Sequence, residues 1–551
     1  MFYRLVWVIV LLFVLTPQSS RVFAVEPDVP EALITRDGWL SLKMRERLRQ
    51  LPSDTGLEKS ERDGVALFYA TRMGRLLWVE GNRPTARARQ VLSELSRADD
   101  WGLRAADFDL ASLTASARKV ATSKLHALIA FEIAMSRAVL KYARHARGGR
   151  IDLSHVTTVI DRKPPLLSPL TVLTGLEASN NPAGFLRGLH PQHRQFHLLR
   201  AAYLDALSRE RRRATSRAQR LSGRLLSNME MWRWMPQELG STHIWANIPE
   251  YQVRVFAKGR TIHQERMIVG KVANMTPMFS DAMETVVFKP YWNVPNSIKV
   301  KELLPSLLRG GSALRRQNLR VAYGGREVRP SSIDWSRRDI RNYHVFQPPG
   351  RGNALGRVKF LFPNKHAVYM HDTPTKHLFR KRRRAFSHGC MRVRNPLKFA
   401  EVLLKRDRGW DRKKIKTLAA SGPDNNQVSL RNSVPVHVAY FTAEVSASGK
   451  ITLHDDIYGH ESRILAGLDG KELTLDLPPS EQDLGDVRRQ LIAGRGAPRP
   501  GRRLNGAFSQ DNRSALGATN AAPRAVPARQ PRRRARRATN WRQTAFRGGD
   551  S

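Results

Sequence analysis

The single cysteine of this 551-residue chain, Cys390, stands in the run Ser387-His388-Gly389-Cys390-Met391-Arg392. Upstream, His371 opens His371-Asp372-Thr373-Pro374, with fifteen residues (372–386) between it and Ser387. A thiol at neutral pH is mostly protonated, and a neighbouring imidazole can take its proton and later return it to a leaving amine. Gly389 leaves room for a carbonyl and reaches dihedrals closed to other residues, so the amides of Gly389 and Cys390 can converge on a developing oxyanion. Lys376, Arg380, Lys381, Arg382, Arg383, Arg384 and Arg392 are nearby in sequence and favour a thiolate. One cysteine excludes an internal disulfide and any multi-thiolate zinc or iron-sulfur site. It is either a small buried hydrophobe or a reactive thiol.

These residues need strands and turns to hold them. From His243 the apolar spacing becomes two: Tyr251, Val253 and Val255 alternate with Gln252 and Arg254, and Lys258-Gly259 turns the chain into Thr261 to Val269. A second hairpin runs from Val358 to Phe362, turns at Pro363-Asn364 and returns from Ala367 to Met370, so that His371 ends a strand. Ser297 to Pro349 lies between the two blocks and is too long for a hairpin loop, which predicts a lid or small subdomain. Beyond the cysteine, Asn395 and Pro396 start a helix with Leu397, Ala400, Leu403 and Leu404 on one face. Ahead of the strands, residues 38–150 read as helical, with apolar residues at three- and four-residue spacing. A looser stretch from Pro164 to Gly188 and a helix from Phe196 to Ala206 follow. Ser208 to Ser222 is strongly basic and reads as an exposed helix or linker.

Lys and Arg number 94 against 48 Asp and Glu, a formal charge of +46, and 41% of residues are hydrophobic. That content supports real cores and excludes wholesale disorder and a small disulfide scaffold. Met1 to Arg4 is a short basic start, Leu5 to Leu15 is apolar, and Val22-Phe23-Ala24 fits a cleavage site. This predicts a signal peptide and export, because the apolar run is too short to span a bilayer. Gly494 to Ser551 holds 14 Arg and two Asp, a net +12 in a Gly-, Pro- and Ala-rich segment without periodic apolar residues, and it is expected to be disordered. It is either a solvated extension or a tether to an anionic polymer. In an exported protein that polymer is cell wall or anionic lipid, not nucleic acid.

The His371 to Arg392 arrangement resembles the active-site signature of the L,D-transpeptidase family with its YkuD-type catalytic domain. The likeness extends to Asn228 to Pro236, His243 to Pro249, Val269-Gly270-Lys271, Lys289 to Pro295, Pro348 to Arg357 and Val434 to Tyr458, which are similar to the large YcbB-like branch. Phe68-Tyr69 and Leu77-Trp78-Val79 are similar to its scaffold domain. The coverage is roughly residues 35–465. Two features depart from the family pattern: no separate peptidoglycan-binding module precedes the Trp-rich segment, and the Arg-rich tail has no counterpart.

The resemblance implies an α+β fold: a helical N-terminal scaffold domain, then a mainly β catalytic domain with a lid insertion; the basic tail follows from composition alone. The expected spans are a signal peptide over 1–24, scaffold over 25–206, basic linker or helix over 207–239 and catalytic domain over 240–410 with its lid at about 297–349. A C-terminal β extension over 411–470 and a largely disordered tail over 471–551 complete them. Carried over by position, Cys390 is the nucleophile, His371 the general base and acid, and the backbone amides of His388, Gly389 and Cys390 the oxyanion hole. Asp372 either orients the imidazole or caps a turn; Ser387 and His388 brace the turn, with His388 the alternative base. Arg392 pairs either with a substrate carboxylate or within the protein, and Tyr291, Trp292 and Asn293 line the cleft or, for the two aromatics, pack in the core.

The implied reaction joins peptidoglycan stem peptides. Cys390 attacks the third stem residue, expels D-Ala and passes the acyl group to another stem in a 3→3 link, with no metal or organic cofactor and with carbapenems as inhibitors. Water or a lipoprotein amine as acceptor would instead give an L,D-carboxypeptidase or protein attachment. A non-catalytic basic wall-binding protein is the alternative of a different class.

Overall fold

The computed structural model describes residues 36–51, 59–72, 75–473 and 481–493. The leader expected over 1–24 and the Arg-rich segment 494–551 lie outside the described residues.

Leu125–Gly148 is the axis of the helical half. Its Ile129, Ile133, Ser136, Leu140 and Ala143, spaced by four and three, are buried. Lys59–Thr71, Ala86–Ser96 and Pro169–Ala178 pack on it. The helix starts are set by side chains: Thr85, Ser168 and Thr215 accept from the amides of Ala88, Thr171 and Ala218. Each such cap is worth about 1 kcal/mol.

The basic stretch over 207–239 resolves into the end of helix Arg194–Arg212 and a further helix, Ser216–Arg233. The first turns of Ser216–Arg233 are exposed, but Leu225, Met229 and Trp232 are core. Arg233 and Glu230, both 0% exposed, form an ion pair at 3.0 Å. Arg233 also donates to the Trp101 carbonyl, while Glu230 accepts from the amides of Arg150 and Ile151. The second half of the expected linker is therefore a joint between the two halves of the chain.

The β half is built on nine strands. β1 (Thr242–Asn247), β2 (Gln252–Ala257), β3 (Arg260–Gly270) and β4 (Phe279–Phe288) precede the insertion. β5 (Val358–Leu361), β6 (Met370–His371), β7 (Ala385–Ser387), β8 (Met391–Val393) and β9 (Asn426–Ala439) follow it. Their spatial order is β7-β3-β8-β6-β5-β4-β9-β1-β2, and β2 also pairs with β3, so the sheet closes on itself. Burial alternates along β2 as the sequence pattern predicts.

Residues 411–470, expected as an extension of the catalytic region, contain one of its inner strands. β9 lies between β4 and β1, paired antiparallel to the first and parallel to the second. Its 14 residues carry Pro435 and a register shift between Ser429 and Val434, which break the alternation that would have marked it as interior. The insertion forms a separate sheet with the strand just before it, Trp292–Asn293, His344–Gln347, Arg320–Tyr323 and Arg326–Val328 in that order, over buried Leu304, Leu314, Val321, Ile340 and Val345. Within the expected tail, Glu481–Ile492 is a helix with Leu484 buried and Arg488 3.7 Å from Asp339. Leu484, Val487 and Leu491 give it a helical apolar spacing that the surrounding charge obscures. No helix among the described residues is long and apolar enough to cross a membrane.

Candidate active site

β6 and β8 are parallel neighbours, with Met370 opposite Met391 and His371 opposite Arg392. Side chains alternate along a strand, so Tyr369 and His371 share a face with Cys390 and Arg392. The register therefore makes His371 and Cys390 diagonal neighbours on one side of the ladder. The turn between β7 and β8 holds Gly389 at φ +117°, a conformation that favours glycine.

His371 is 5% exposed, and its Nδ1 donates to the Asp372 carbonyl. That contact fixes the tautomer and leaves the Nε2 lone pair as the base. Burial, followed by Arg392, pushes the imidazole down to about 3, so it is neutral at physiological pH. The carboxylate of Asp372 does other work: it accepts from the amides of Arg357 and Thr373 and from Lys376 Nζ. Of the two expected roles for Asp372, its side chain takes the turn-capping one, and its main chain orients the imidazole.

The Cys390 thiol reaches the Ala367 carbonyl at 3.9 Å, and the neighbouring Tyr369 favours the thiolate. Burial raises the thiol to about 11, which corrects the expectation of a cation-favoured thiolate. Of the seven cations, Arg392 is the one whose charge lowers the thiol, and its effect is smaller than that of burial. Arg384 turns instead toward the carbonyls of Met267 and Tyr251. The resting pair is thus a neutral thiol beside a neutral imidazole.

Of the three amides expected in the oxyanion cradle, His388, Gly389 and Cys390, the Gly389 amide is occupied within the protein. The Gly389 amide donates to Ser387 Oγ at 3.2 Å, and that hydroxyl donates to the Cys390 carbonyl at 2.6 Å. The amide of Gly389 is thereby occupied, and Ser387 braces the turn. Thr276 Oγ1 donates to the Gly389 carbonyl at 2.7 Å. In a trans peptide the N–H points opposite the C=O, so this bond aims the Cys390 amide away from Thr276, and that amide has no acceptor among the described residues. Tyr458 completes the brace by donating to the Gly270 carbonyl and accepting from the Thr276 amide.

His388 is exposed and its Nε2 pairs with Glu302 of the insertion, so its ring is committed to the lid rather than to the thiol. Arg392 gives Nη1 to Thr375 at 3.2 Å, keeps a buried Nε without a partner, and has no carboxylate partner among the described residues. Arg392, Trp292, Thr373, Thr375 and Gln317 line a cavity of about 370 Å³. Tyr291 and Asn293 do not line it: Tyr291 packs on Phe346, and Asn293 accepts from His344 at 3.0 Å. Sequence reasoning missed Tyr369, although its place two residues before His371 on one strand was a signal. Thr276, Tyr458 and Glu302 carried no such signal, because only the fold brings them to the turn.

Residues 63–202 match the family model of the Scaffold domain, and residues 241–419 match that of YkuD, the L,D-transpeptidase catalytic domain. A Haemophilus influenzae protein provisionally named as an L,D-transpeptidase is 33% identical over 252 residues, which cover 45% of this chain and 50% of that protein. The chain spans about half the length of the curated relative it matches. The catalytic-domain match lies over the strands that carry His371 and Cys390, so residues 241–419 are similar to the YkuD-type L,D-transpeptidase catalytic domain.

Proposed function

We propose that this protein is an exported peptidoglycan L,D-transpeptidase that forms 3→3 cross-links through a cysteinyl thioester. The observation that carries the proposal is the Cys390 thiol on one sheet face with His371, whose tautomer is fixed, and with Arg392, whose charge has no partner among the described residues. His371 Nε2 takes the thiol proton as Sγ attacks the carbonyl of the third stem residue. The Cys390 amide stabilises the oxyanion, and Arg392 holds a stem carboxylate. Collapse breaks the bond to the terminal D-Ala, whose amine leaves with the proton from His371. The side-chain amine of a second stem then attacks the thioester, gives its proton to His371, and releases the thiolate to be reprotonated. The insertion, latched by His388 and Glu302, would exclude water and favour the amine as acceptor.

Export rests on the basic start, apolar run and cleavage signal within residues 1–24. The Arg-rich segment after residue 494 extends the proposal to an anionic wall polymer. Truncation there should weaken salt-sensitive sacculus binding and leave turnover of soluble stems intact.

The test pairs wild type with Cys390→Ala. Wild type should give cross-linked muropeptide dimers and a carbapenem adduct by intact mass, and the variant neither. Dimers or adduct undiminished in the variant would sink the nucleophile assignment, and shortened stems without dimers would assign hydrolysis instead.

A further inference from the structure

Outside the catalytic turn, three side chains bring metal-binding atoms together. Glu444 lies in strand Ala443–Val445, which pairs antiparallel with Ile451–Leu453 and sets Glu444 opposite Thr452. The His454 amide donates to the Thr442 carbonyl at 2.8 Å, so the ladder runs one pair beyond the second strand. Side chains alternate along each strand, which puts His454 diagonally across from Glu444 on one face of the hairpin. Glu250 comes from the short link between β1 and β2. One ligand atom from each of the three lies within 4.8 Å of the others.

The hydrogen bonds inside this cluster are incomplete. Arg254 of β2 donates to Glu250 Oε1 and, at 3.2 Å, to Glu444 Oε1, so one guanidinium serves two carboxylates. The Glu250 side chain is 7% exposed, and its Oε2 is buried without a hydrogen-bond partner among the described residues. His454 Nε2 is also buried without one. A carboxylate oxygen and a ring nitrogen buried in one cluster and left unpaired are costly unless a further group joins them.

We propose that Glu250, Glu444 and His454 bind a divalent cation of the zinc class. Two carboxylate oxygens and an imidazole nitrogen make a mixed donor set, which suits zinc better than calcium or magnesium, whose ligands are oxygens. Water supplies the fourth ligand. Arg254 is then the outer partner that orients both carboxylates, because ligating carboxylates are themselves hydrogen-bonded. Two carboxylates and one guanidinium leave a net negative charge, which the cation offsets. It ties the β1–β2 link to the hairpin, four residues ahead of Tyr458, whose hydroxyl braces the catalytic turn through Gly270 and Thr276. The role is structural, and binding there needs nothing from Cys390.

Cys390 is itself a candidate metal ligand, so the experiment uses the full chain carrying Cys390→Ala, stripped with EDTA and dialysed. Calorimetric titration with zinc chloride should show one tight site, with Kd below about 10 μM. Zinc at about 100 times that Kd should raise the unfolding midpoint by several degrees. Glu250→Gln and His454→Gln each remove a ligand with little change of size, and each should weaken zinc binding at least about tenfold and abolish the thermal shift. Calcium chloride should bind at least about tenfold more weakly than zinc.

No zinc site in the Cys390→Ala protein overturns the proposal, and so does a site that neither variant weakens. Calcium bound as tightly as zinc, with His454→Gln without effect, also overturns it, because the cation would then sit on carboxylates alone. Circular dichroism without metal shows whether each variant folds. Should Glu250→Gln unfold, the half-buried His454 decides through His454→Gln. Should both unfold, the zinc-induced rise in midpoint and the preference over calcium decide, since both are read without either variant.

Discussion

Two clusters of buried ionisable groups, one around Glu132 in the helical half and one around Cys390, are paired differently. In the helical region Glu132 is 0% exposed, and its carboxylate accepts from the Tyr69 hydroxyl and from the amides of Leu77 and Trp78. Ser136 takes the Trp78 indole N–H, so the polar groups of that cluster are paired. Around Cys390 the pairing is incomplete. The thiol reaches a carbonyl only at 3.9 Å, the Arg392 Nε is buried without a partner, and the Cys390 amide faces away from the protein group that orients it. A saturated cluster holds helices together. Unspent donors beside a nucleophile are capacity kept for a substrate.

The largest effect should come from removing the base. His371→Gln keeps a side chain of similar reach but cannot take the thiol proton, and carbapenem acylation should fall by about 10²- to 10⁴-fold. The pH profile sharpens this. With the imidazole depressed to about 3 and the thiol raised to about 11, both partners are neutral across the physiological range. The acylation rate of wild type should therefore be flat from about pH 5 to about pH 9. A rate that climbs tenfold per unit through that range would mean a free thiolate is the reactant, and the base assignment to His371 would fail.

Glu132 provides the contrasting experiment. Burial raises its carboxyl from 4.5 to about 7 against the pull of three hydrogen bonds. A raised acid contributes stability that is fully present below the unfolded value and is lost as pH rises through the folded one. Glu132→Gln does not titrate, so wild type should lose about 3 kcal/mol relative to the variant between about pH 4 and about pH 8. Urea unfolding at the two pH values measures the difference, and carbapenem acylation per folded molecule should not change. Parallel stability curves would show that Glu132 titrates normally despite its burial.

The contrast also explains what could be read from the sequence. His371, Cys390 and Arg392 lie within 22 residues of one another on strands with clear turn signals, so their convergence was legible. The insertion was legible from its length alone, while its three strands were hidden by Arg-rich loops. β9 was missed as an interior strand because Pro435 and the register shift interrupt its period. The direction of the thiol shift was missed for a different reason: sequence counts nearby cations, but burial depends on which of them face the sulfur. Only Arg392 does so, and desolvation outweighs it. Glu302 and Thr276 lie 86 and 113 residues from their partners in the catalytic turn, a separation at which local patterns carry no information.

Thr276 offers the finest test of the difference between a saturated cluster and a working one, because it belongs to both. It is 0% exposed, accepts from the Gly270 amide at 2.9 Å and donates to the Gly389 carbonyl at 2.7 Å. Thr276→Val keeps its shape and leaves both backbone groups unpaired, which costs about 1–3 kcal/mol of stability. A brace that only holds the fold would stop there. If Thr276 also aims the Cys390 amide at the oxyanion, acylation kcat should drop about tenfold while half-saturation by the carbapenem stays unchanged, because the oxyanion forms after binding. Thr276→Ser restores the hydroxyl without the methyl and should recover kcat even where stability remains reduced. Stability lost and kcat kept in the valine variant would make Thr276 a packing residue and leave the Cys390 amide oriented by the turn itself.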